Sequence, residues 1–161
     1  MKNIRATFAQ TLYGEMKDNK DIYVLTADLG YKMWDKIRDD YPDRFINVGA
    51  SEQTMMDIAI GLAYSGKIPF CYSITPFLIY RPFEALRTYI NHEKLNVKLV
   101  GGGHNKDYAH DGISHYAHDV EMIMRPLTNI TVCVPYDDSV AETVVREMVK
   151  SDNPYLVILK R

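Results

Sequence analysis

Six short, uniformly apolar runs, separated by segments of helical periodicity, constrain the fold more than any other feature of the sequence. Runs such as IPFCYSI and PYLVILK do not alternate between apolar and polar residues, so both faces of each predicted strand are expected to be covered. Strands of this kind form parallel sheets with helices on both sides. The sequence therefore predicts one α/β domain over residues 1–161, in three layers, with a mostly parallel six-stranded sheet.

The predicted helices and strands alternate along the chain. The strands are IYVLTAD, RFINV, KIPFCYSI, NVKLVGG, NITVCVP and PYLVILK. The helices cover residues 4–16, 33–39, 52–64, 80–91, 120–125 and 138–150. Ser51 is in position to cap the third helix, and Pro82 falls in the first turn of the fourth, where proline is tolerated. A loop, GGGHNKDYAHDGISHYAHD, follows the fourth strand and holds four of the five histidines.

Composition and charge argue against several classes of protein. The net charge of -2 gives no excess of cations for nucleic acid or an anionic membrane surface. No apolar stretch approaches the ~18 residues of a membrane span, and MKNIRATFAQ lacks the apolar core of a signal peptide. Cys71 and Cys133 lie in apolar runs, as expected of buried thiols and not of a disulfide or a zinc site. We expect a cytoplasmic protein with no nucleic-acid or membrane partner.

Polar side chains follow four of the predicted strands, at the point where each strand ends. Asp28 follows the first strand, Ser51 and Glu52 follow the second, and residues 73–77 follow the third. The histidine-rich loop follows the fourth. Because open parallel sheets bind ligands beyond the carboxyl ends of their strands, the sequence predicts a functional site along this edge.

Glu52 opens a predicted helix, where an acidic residue commonly does no more than complement the helix dipole. Its segment, GASEQTMMDIAIGLAYSGKIPF, resembles the motif that opens a helix in the pyrimidine-binding domain of transketolases and deoxyxylulose-phosphate synthases. The resemblance implies that Glu52 contacts N1′ of the aminopyrimidine ring of thiamine diphosphate. A proton held there favours the imino form of the ring, which activates the cofactor while the protein sets its tautomer and orientation.

Three aromatic residues, Phe77, Tyr80 and Phe83, fall three apart in YSITPFLIYRPFEALR. Core packing is the usual explanation of such a stripe. The segment is similar to the family segment whose aromatic side chains line the pocket of the pyrimidine ring, so all three residues are predicted to bind the cofactor. Offset stacking on a flat heteroaromatic ring suits that role, and which of the three stacks is left open.

The loop segment HDGISHYAHD resembles the family pattern DG-x-(Thr/Ser)-H at the substrate channel. Asp111, Ser114 and His115 match it, which implies contacts to sugar hydroxyls and, for His115, assistance in proton transfer. The resemblance also implies that His104 faces the substrate and that Asp28, in TADLG, lies near the cofactor.

Four histidines in one loop raise the alternative of a metal site. The loop has no cysteine and no coherent set of ligands, so no metal ligand is predicted in this chain. His110 and His118 are interpreted as solvated loop residues.

The resemblance also implies a missing half of the enzyme. Members of the family bind Mg²⁺ and the diphosphate in a pyrophosphate domain, through a GDG stretch followed by an asparagine, and neither GGGHNKD nor HDGIS fits that pattern. The Mg²⁺ ligands are therefore expected on a separate subunit, without which this chain is inactive. A homodimer of this chain within a heterotetramer follows from the family's two-fold arrangement. A fragment is the alternative, although Met1 and the end at Arg161 favour an autonomous product.

These resemblances predict the pyrimidine-domain subunit of a split transketolase-like enzyme, which transfers a ketol unit between sugars, phosphorylated ones in particular. Three alternatives stay open: a subunit of a 2-keto acid decarboxylase, a non-catalytic regulatory module of the same fold, and a response-regulator-like domain. The segments SEQ and DGISH favour a transketolase, and Glu52 has no purpose in a regulatory module. A response regulator needs a phosphorylatable aspartate in an acidic cluster, for which only Asp28 is available.

Overall fold

A computed structural model describes residues 3–161, in which helices and strands alternate as predicted. The strands are β1 (Ile22–Thr26), β2 (Phe45–Asn47), β3 (Ile68–Ile74), β4 (Lys98–Gly102), β5 (Thr131–Cys133) and β6 (Tyr155–Leu159). The helices are α1 (Ile4–Asp18), α2 (Asp35–Asp40), α3 (Glu52–Tyr64), α4 (Thr75–Tyr80), α5 (Phe83–Ala85), α6 (Val120–Met124) and α7 (Asp138–Lys150). A π-helical segment, Leu86–His92, continues α5.

The strands form one sheet in the order β2-β1-β3-β4-β6-β5. Every neighbouring pair is parallel, which confirms the predicted α/β class with a sheet that is parallel throughout. All carboxyl ends therefore lie at one edge, where β3 and β4 end side by side through the pairs Ser73–Gly101 and Ile74–Gly102.

The sheet separates two apolar cores. On one side, Met55 and Met56 of α3 pack with residues of α4 and the π-helical segment, such as Leu78 and Ile90. On the other side, the core includes Phe8, Leu12, Trp34, Ile37, Val145 and Met148, from α1, α7 and the α2 region. Two layers of helices around one sheet are the three-layer arrangement that uniformly apolar strands require.

The predicted helix over residues 80–91 is wrong in its start and its form. A helix begins five residues earlier, at Thr75, with Pro76 in its first turn, and ends at Tyr80. The chain resumes helical structure at Phe83 and then winds into the π-helical segment. Pro82 explains the break, because proline has no N–H to continue the hydrogen-bond ladder of α4.

Two expectations about single features have mixed outcomes. Cys71 is a buried free thiol, as predicted, but Cys133 is free and only half-buried. Ser51 does precede α3, but its side chain makes no cap hydrogen bond and pairs with Thr54 Oγ1 at 2.7 Å instead. Within residues 3–161, no helix is both long enough and apolar enough to cross a bilayer.

Candidate active site

Glu52 is a buried carboxyl group at the carboxyl edge of the sheet. It is the first residue of α3 and its exposed fraction is 2%. Its Oε1 accepts a hydrogen bond from Ser73 Oγ at 2.8 Å, and its Oε2 accepts one from Arg81 Nη1 at 2.5 Å. The partial positive charge at the start of α3 also favours a carboxylate there. Glu52 thus has one buried and one partly exposed hydrogen-bond donor.

Close packing between β3 and β4 holds Ser73 and the start of α4 in place. Thr75 Oγ1 donates to the carbonyl oxygen of Gly103 at 2.6 Å. A Cβ atom on Gly101 would lie 2.5 Å from Thr75 Oγ1, and one on Gly102 would lie 2.7 Å from the hydroxyl oxygen of Tyr72. The glycine run that ends β4 therefore lets the two strand ends approach closely.

Of the three predicted aromatic residues, Phe77 is the one that contacts Arg81, the hydrogen-bond partner of Glu52. The Arg81 guanidinium lies over the Phe77 ring, 3.8 Å from its centroid. The His115 ring contacts Phe77 edge-on, with centroids 4.8 Å apart. Phe77 therefore links the carboxyl group of α3 with the histidine-rich loop.

The other two predicted aromatic residues have different surroundings. The Tyr80 hydroxyl donates a short hydrogen bond to Asp119 Oδ1, and the ring is 37% exposed. Burial and this hydrogen bond raise the pKa of Tyr80. Phe83 is half-buried against the core and lines a groove with Arg87 and Asn91. In this structure, Phe77 alone of the three stacks on a group bound to Glu52.

Within the histidine-rich loop, residues 104–118 contain two short 3₁₀ turns and several internal contacts. Ser114 Oγ lies 3.0 Å from His115 Nδ1, so the hydroxyl fixes the ring that contacts Phe77. Asp111 instead lies 3.2 Å from His110 Nε2. Of the predicted substrate residues in this loop, Ser114 and His115 thus form a pair beside Phe77.

His104 and Asp28 are each held by their own neighbours. His104 Nε2 lies 3.1 Å from Glu121 Oε1, and the side chain is mostly buried. Asp28 takes up a left-handed backbone conformation after β1, and its carboxylate accepts hydrogen bonds from Tyr31 and Asn47. The bond to Asp28 raises the pKa of the Tyr31 hydroxyl.

Metal-binding side chains do not converge within residues 3–161. No group of three or more His, Cys, Asp or Glu side chains there could hold a metal ion. His110 instead lies 3.4 Å from Arg161 Nη1, and His118 packs edge-on against Tyr116.

Two arginines at this edge were missed by the sequence analysis. Arg81 lies four residues after Phe77, a spacing that places two side chains on one face of a helix and could have indicated the contact. Arg5 lines a cavity of about 430 Å³ with Lys32, Tyr72 and Tyr108. Its Nη2 is buried and has no hydrogen-bond partner among residues 3–161. An arginine in the first turn of an N-terminal helix gives no sequence signal for such a cavity.

Sequence comparison relates this chain to known proteins. The sequence profile of the family "Transketolase, pyrimidine binding domain" matches residues 1–161. A putative transketolase C-terminal section of Methanocaldococcus jannaschii is 34% identical over 161 residues, which cover 99% of this chain and 51% of that protein. A 6-deoxy-6-sulfo-D-fructose transketolase subunit of Clostridium sp. is 30% identical over 98% of this chain and 50% of its own length.

Solved structures agree with the sequence matches. A structure described as a split gene transketolase in an inactive beta4 tetramer superposes with a TM-score of 0.85 at 32% identity, over 98% of this chain and 51% of that one. Transketolase from Leishmania mexicana gives 0.85 at 21% identity, over 97% of this chain and 25% of its own, and shows a shared fold. The chain spans about half the length of the curated relatives that it matches.

Proposed function

This chain belongs to the transketolase pyrimidine-binding domain family, and from that premise we propose that it forms the pyrimidine half of a thiamine-diphosphate site in a transketolase-like enzyme. Residues 1–161 are its pyrimidine-binding domain. A pyrophosphate-domain partner, which holds Mg²⁺ and the diphosphate, completes the site. The relatives described as a C-terminal section and as a subunit support a partner chain. A homodimer of this chain within a heterotetramer extends the same proposal.

One observation carries the proposal. A flat group that bears N–H donors is hydrogen-bonded to a buried carboxylate and also stacks on an aromatic ring. Glu52, Arg81 and Phe77 form this arrangement. An aminopyrimidine ring is also flat, carries N–H groups and stacks on aromatic faces. The residues present therefore fit the ring, with Glu52 as the hydrogen-bonding group and Phe77 as the wall.

In the proposed mechanism, thiamine diphosphate supplies the carbon chemistry when bound. Glu52 holds a proton at N1′ of the ring, and the hydroxyl of Ser73 keeps the carboxyl group oriented through Oε1. Burial of Glu52 excludes water from that proton. Tyr80, Phe83 and Asp28 are proposed as further cofactor contacts.

His115 is the proposed proton carrier on the substrate side. Its Nδ1 lies beside Ser114 Oγ, and the ring contacts Phe77, the residue proposed to stack on the cofactor ring. An imidazole ring can both donate and accept a proton, so His115 can move protons to and from sugar hydroxyls. Asp111 and His104 are proposed to bind further hydroxyls of the substrate.

We propose sugars that carry an anionic group as substrates for ketol transfer. Arg5 and Lys32 are cationic residues that line the 430 Å³ cavity, and the buried Nη2 of Arg5 has no hydrogen-bond partner among the residues that the structure describes. The Clostridium relative is named for a sulfonated sugar, which supports an anionic substrate class.

The first experiment isolates the complex and then replaces the carboxyl group of Glu52 by an amide. The tagged chain is purified from its native extract with thiamine diphosphate and Mg²⁺, and mass spectrometry identifies a partner that carries a GDG segment. Glu52→Gln should lower turnover of that complex by about 10²–10⁴-fold while assembly is retained. The matched control is Asp57→Asn, an exposed acid on the same helix, bound to Gln53. Undiminished turnover of Glu52→Gln would remove the central claim.

A second variant separates the substrate side from the cofactor side. His115→Ala should reduce sugar turnover by about 10²-fold or more but change cofactor affinity little, because the ring is not expected to bind the cofactor's hydrogen-bonding atoms. Turnover and calorimetric binding of thiamine diphosphate are measured on the same complex. Equal losses in both would count against a substrate role.

A further inference from the structure

Arg81 is bound to the same two groups that are proposed to hold the cofactor ring. Its Nη1 donates to Glu52 Oε2 at 2.5 Å, and its guanidinium lies 3.8 Å from the centroid of Phe77. A guanidinium is planar, carries its N–H groups in the plane, and stacks on aromatic faces. It therefore makes with Glu52 and Phe77 the two kinds of contact that an aminopyrimidine would make there.

The exposure of the two ion-pair partners differs sharply. The Glu52 side chain is 2% exposed, and the Arg81 side chain is 46% exposed. Glu52 is also held by Ser73, but the Arg81 side chain makes no hydrogen bond within residues 3–161 besides the one to Glu52. Of the two groups, Arg81 is therefore the one that can move into solvent.

The backbone at Arg81 also favours movement of this side chain. Arg81 follows the last residue of α4, and Pro82 interrupts the helix immediately after it. The side chain therefore starts from a break between two helical segments and not from the interior of a packed helix. Glu52, in contrast, opens a 13-residue helix.

We propose that Arg81 is an internal occupant of the ring site: it keeps Glu52 paired in the unliganded chain, and the aminopyrimidine displaces it on binding. This inference rests on the proposed function. A buried carboxylate without a partner is strongly unfavourable, and Arg81 relieves that cost until the ring arrives. The same pairing lowers the affinity for the ring, because only chains with Arg81 released can bind it.

The displacement is tested directly by side-chain NMR on the 161-residue chain, with the hydroxymethyl aminopyrimidine half of thiamine as the probe. The Arg81 Nε–H signal, assigned through Arg81→Lys, should move toward that of a solvated arginine as the probe saturates the chain. An Arg81 signal that stays unchanged at saturation would overturn the inference. This measurement uses the wild-type chain, so it stands even where a variant folds poorly.

The competition is tested by the affinity of variants for the same probe. Arg81→Met should tighten probe binding by on the order of ten-fold, as expected if about nine chains in ten hold the ion pair closed. The matched control is Arg87→Met, which removes an exposed arginine in the adjoining π-helical segment. Its affinity should stay within about two-fold of wild type. Unchanged or weaker binding of the probe to Arg81→Met would overturn the inference.

The Glu52→Gln variant separates this inference from the proposed function. If the probe binds and Glu52→Gln weakens it, but Arg81→Met does not tighten it, only the role of Arg81 is overturned. If the probe binds equally to wild type and Glu52→Gln, the proposed ring site is wrong, whatever Arg81 does. Absence of binding to every protein in the set would overturn the displacement of Arg81, and the proposed function would then be decided by turnover of the Glu52→Gln complex.

Discussion

Two charged side chains are buried near opposite ends of the central strands, and their partners differ in kind. Glu52, at the carboxyl edge, is held by the side chains of Ser73 and Arg81. Lys98, the first residue of β4, donates instead to the main-chain carbonyl oxygens of Ser151 and Asn153, at 2.8 and 2.5 Å. A side-chain partner can rotate away, but a main-chain carbonyl moves only if the backbone moves.

Lys98 therefore has a structural role, whereas Glu52 can exchange one hydrogen-bond partner for another. The turn after α7 supplies the carbonyl acceptors of Lys98, and its ammonium also lies 5.0 Å from the centroid of the Tyr155 ring, its neighbour on β6. Loss of Lys98 would therefore disturb the α7–β6 connection. Loss of Arg81 would expose one oxygen of Glu52 and leave the sheet intact. We infer that the amino edge stabilises the fold and that the carboxyl edge accommodates a ligand.

Lys98→Ala should have the largest effect on stability. It removes both hydrogen bonds to the carbonyl oxygens and leaves a cavity, so we expect a loss of about 2–4 kcal/mol in the free energy of unfolding. Lys98→Met keeps the length of the side chain and should recover part of that loss. Urea unfolding of the three proteins measures the difference. If Lys98→Ala were as stable as wild type, the amino edge would not have the structural role assigned to it.

The pH dependence of the free energy of unfolding also tests the burial of Lys98. Burial lowers the pKa of Lys98 to about 7 from its ordinary 10.5, and the nearby Asp152 acts in the opposite direction. Between these two values the unfolded chain holds a proton that the folded chain has released. Stability should therefore rise with pH in this window, by at most about 1.4 kcal/mol per unit, and Lys98 should add no slope below it.

The control for this slope is the variant that cannot titrate. The free energy of unfolding is measured against pH for wild type and Lys98→Met, and their difference isolates Lys98 from all other groups. Parallel profiles above neutral pH would mean that Lys98 stays charged in the folded chain.

Ser73→Ala tests the carboxyl edge of the sheet, where Glu52 lies. It removes the buried donor to Glu52 Oε1, and we expect a loss of about 1–2 kcal/mol, because Arg81 still pairs with the other oxygen. The matched control is Ser139→Ala, an exposed serine in α7, which should change the free energy of unfolding by less than about 0.5 kcal/mol. A loss as large as that of Lys98→Ala would remove the distinction between the two edges.

The contrast also explains what could be predicted from sequence. The uniformly apolar strands predicted the class of fold, and the position of Glu52 after β2 predicted a polar group at the carboxyl edge. The pairing of Glu52 with Arg81 was not predictable, because it joins residues 29 apart through a break in the helix that the sequence pattern had placed differently. The acceptors of Lys98, in NVKLVGG, were not predictable either, because they lie 53 and 55 residues further along.

Strand order was also beyond the sequence pattern. Alternating helices and strands fit several parallel topologies, and nothing in RFINV indicates that β2 lies at the edge, beside β1. This order matters for the site, because it makes β3 and β4 neighbours and brings Thr75 against the glycines of β4.

Tyr80→Phe should have the smallest effect, because its partner is a side chain at a partly exposed position. The variant loses the hydrogen bond to Asp119, and the expected loss is about 0.5–1 kcal/mol in the free energy of unfolding. The matched control is Tyr89→Phe, at a similar exposure of 40%, whose hydroxyl has no hydrogen-bond partner among residues 3–161. Hydrogen exchange should become faster in residues 104–118 of Tyr80→Phe only, because Asp119 directly follows them. Equal behaviour of the two variants would mean that the Tyr80–Asp119 bond does not order the loop that carries His115.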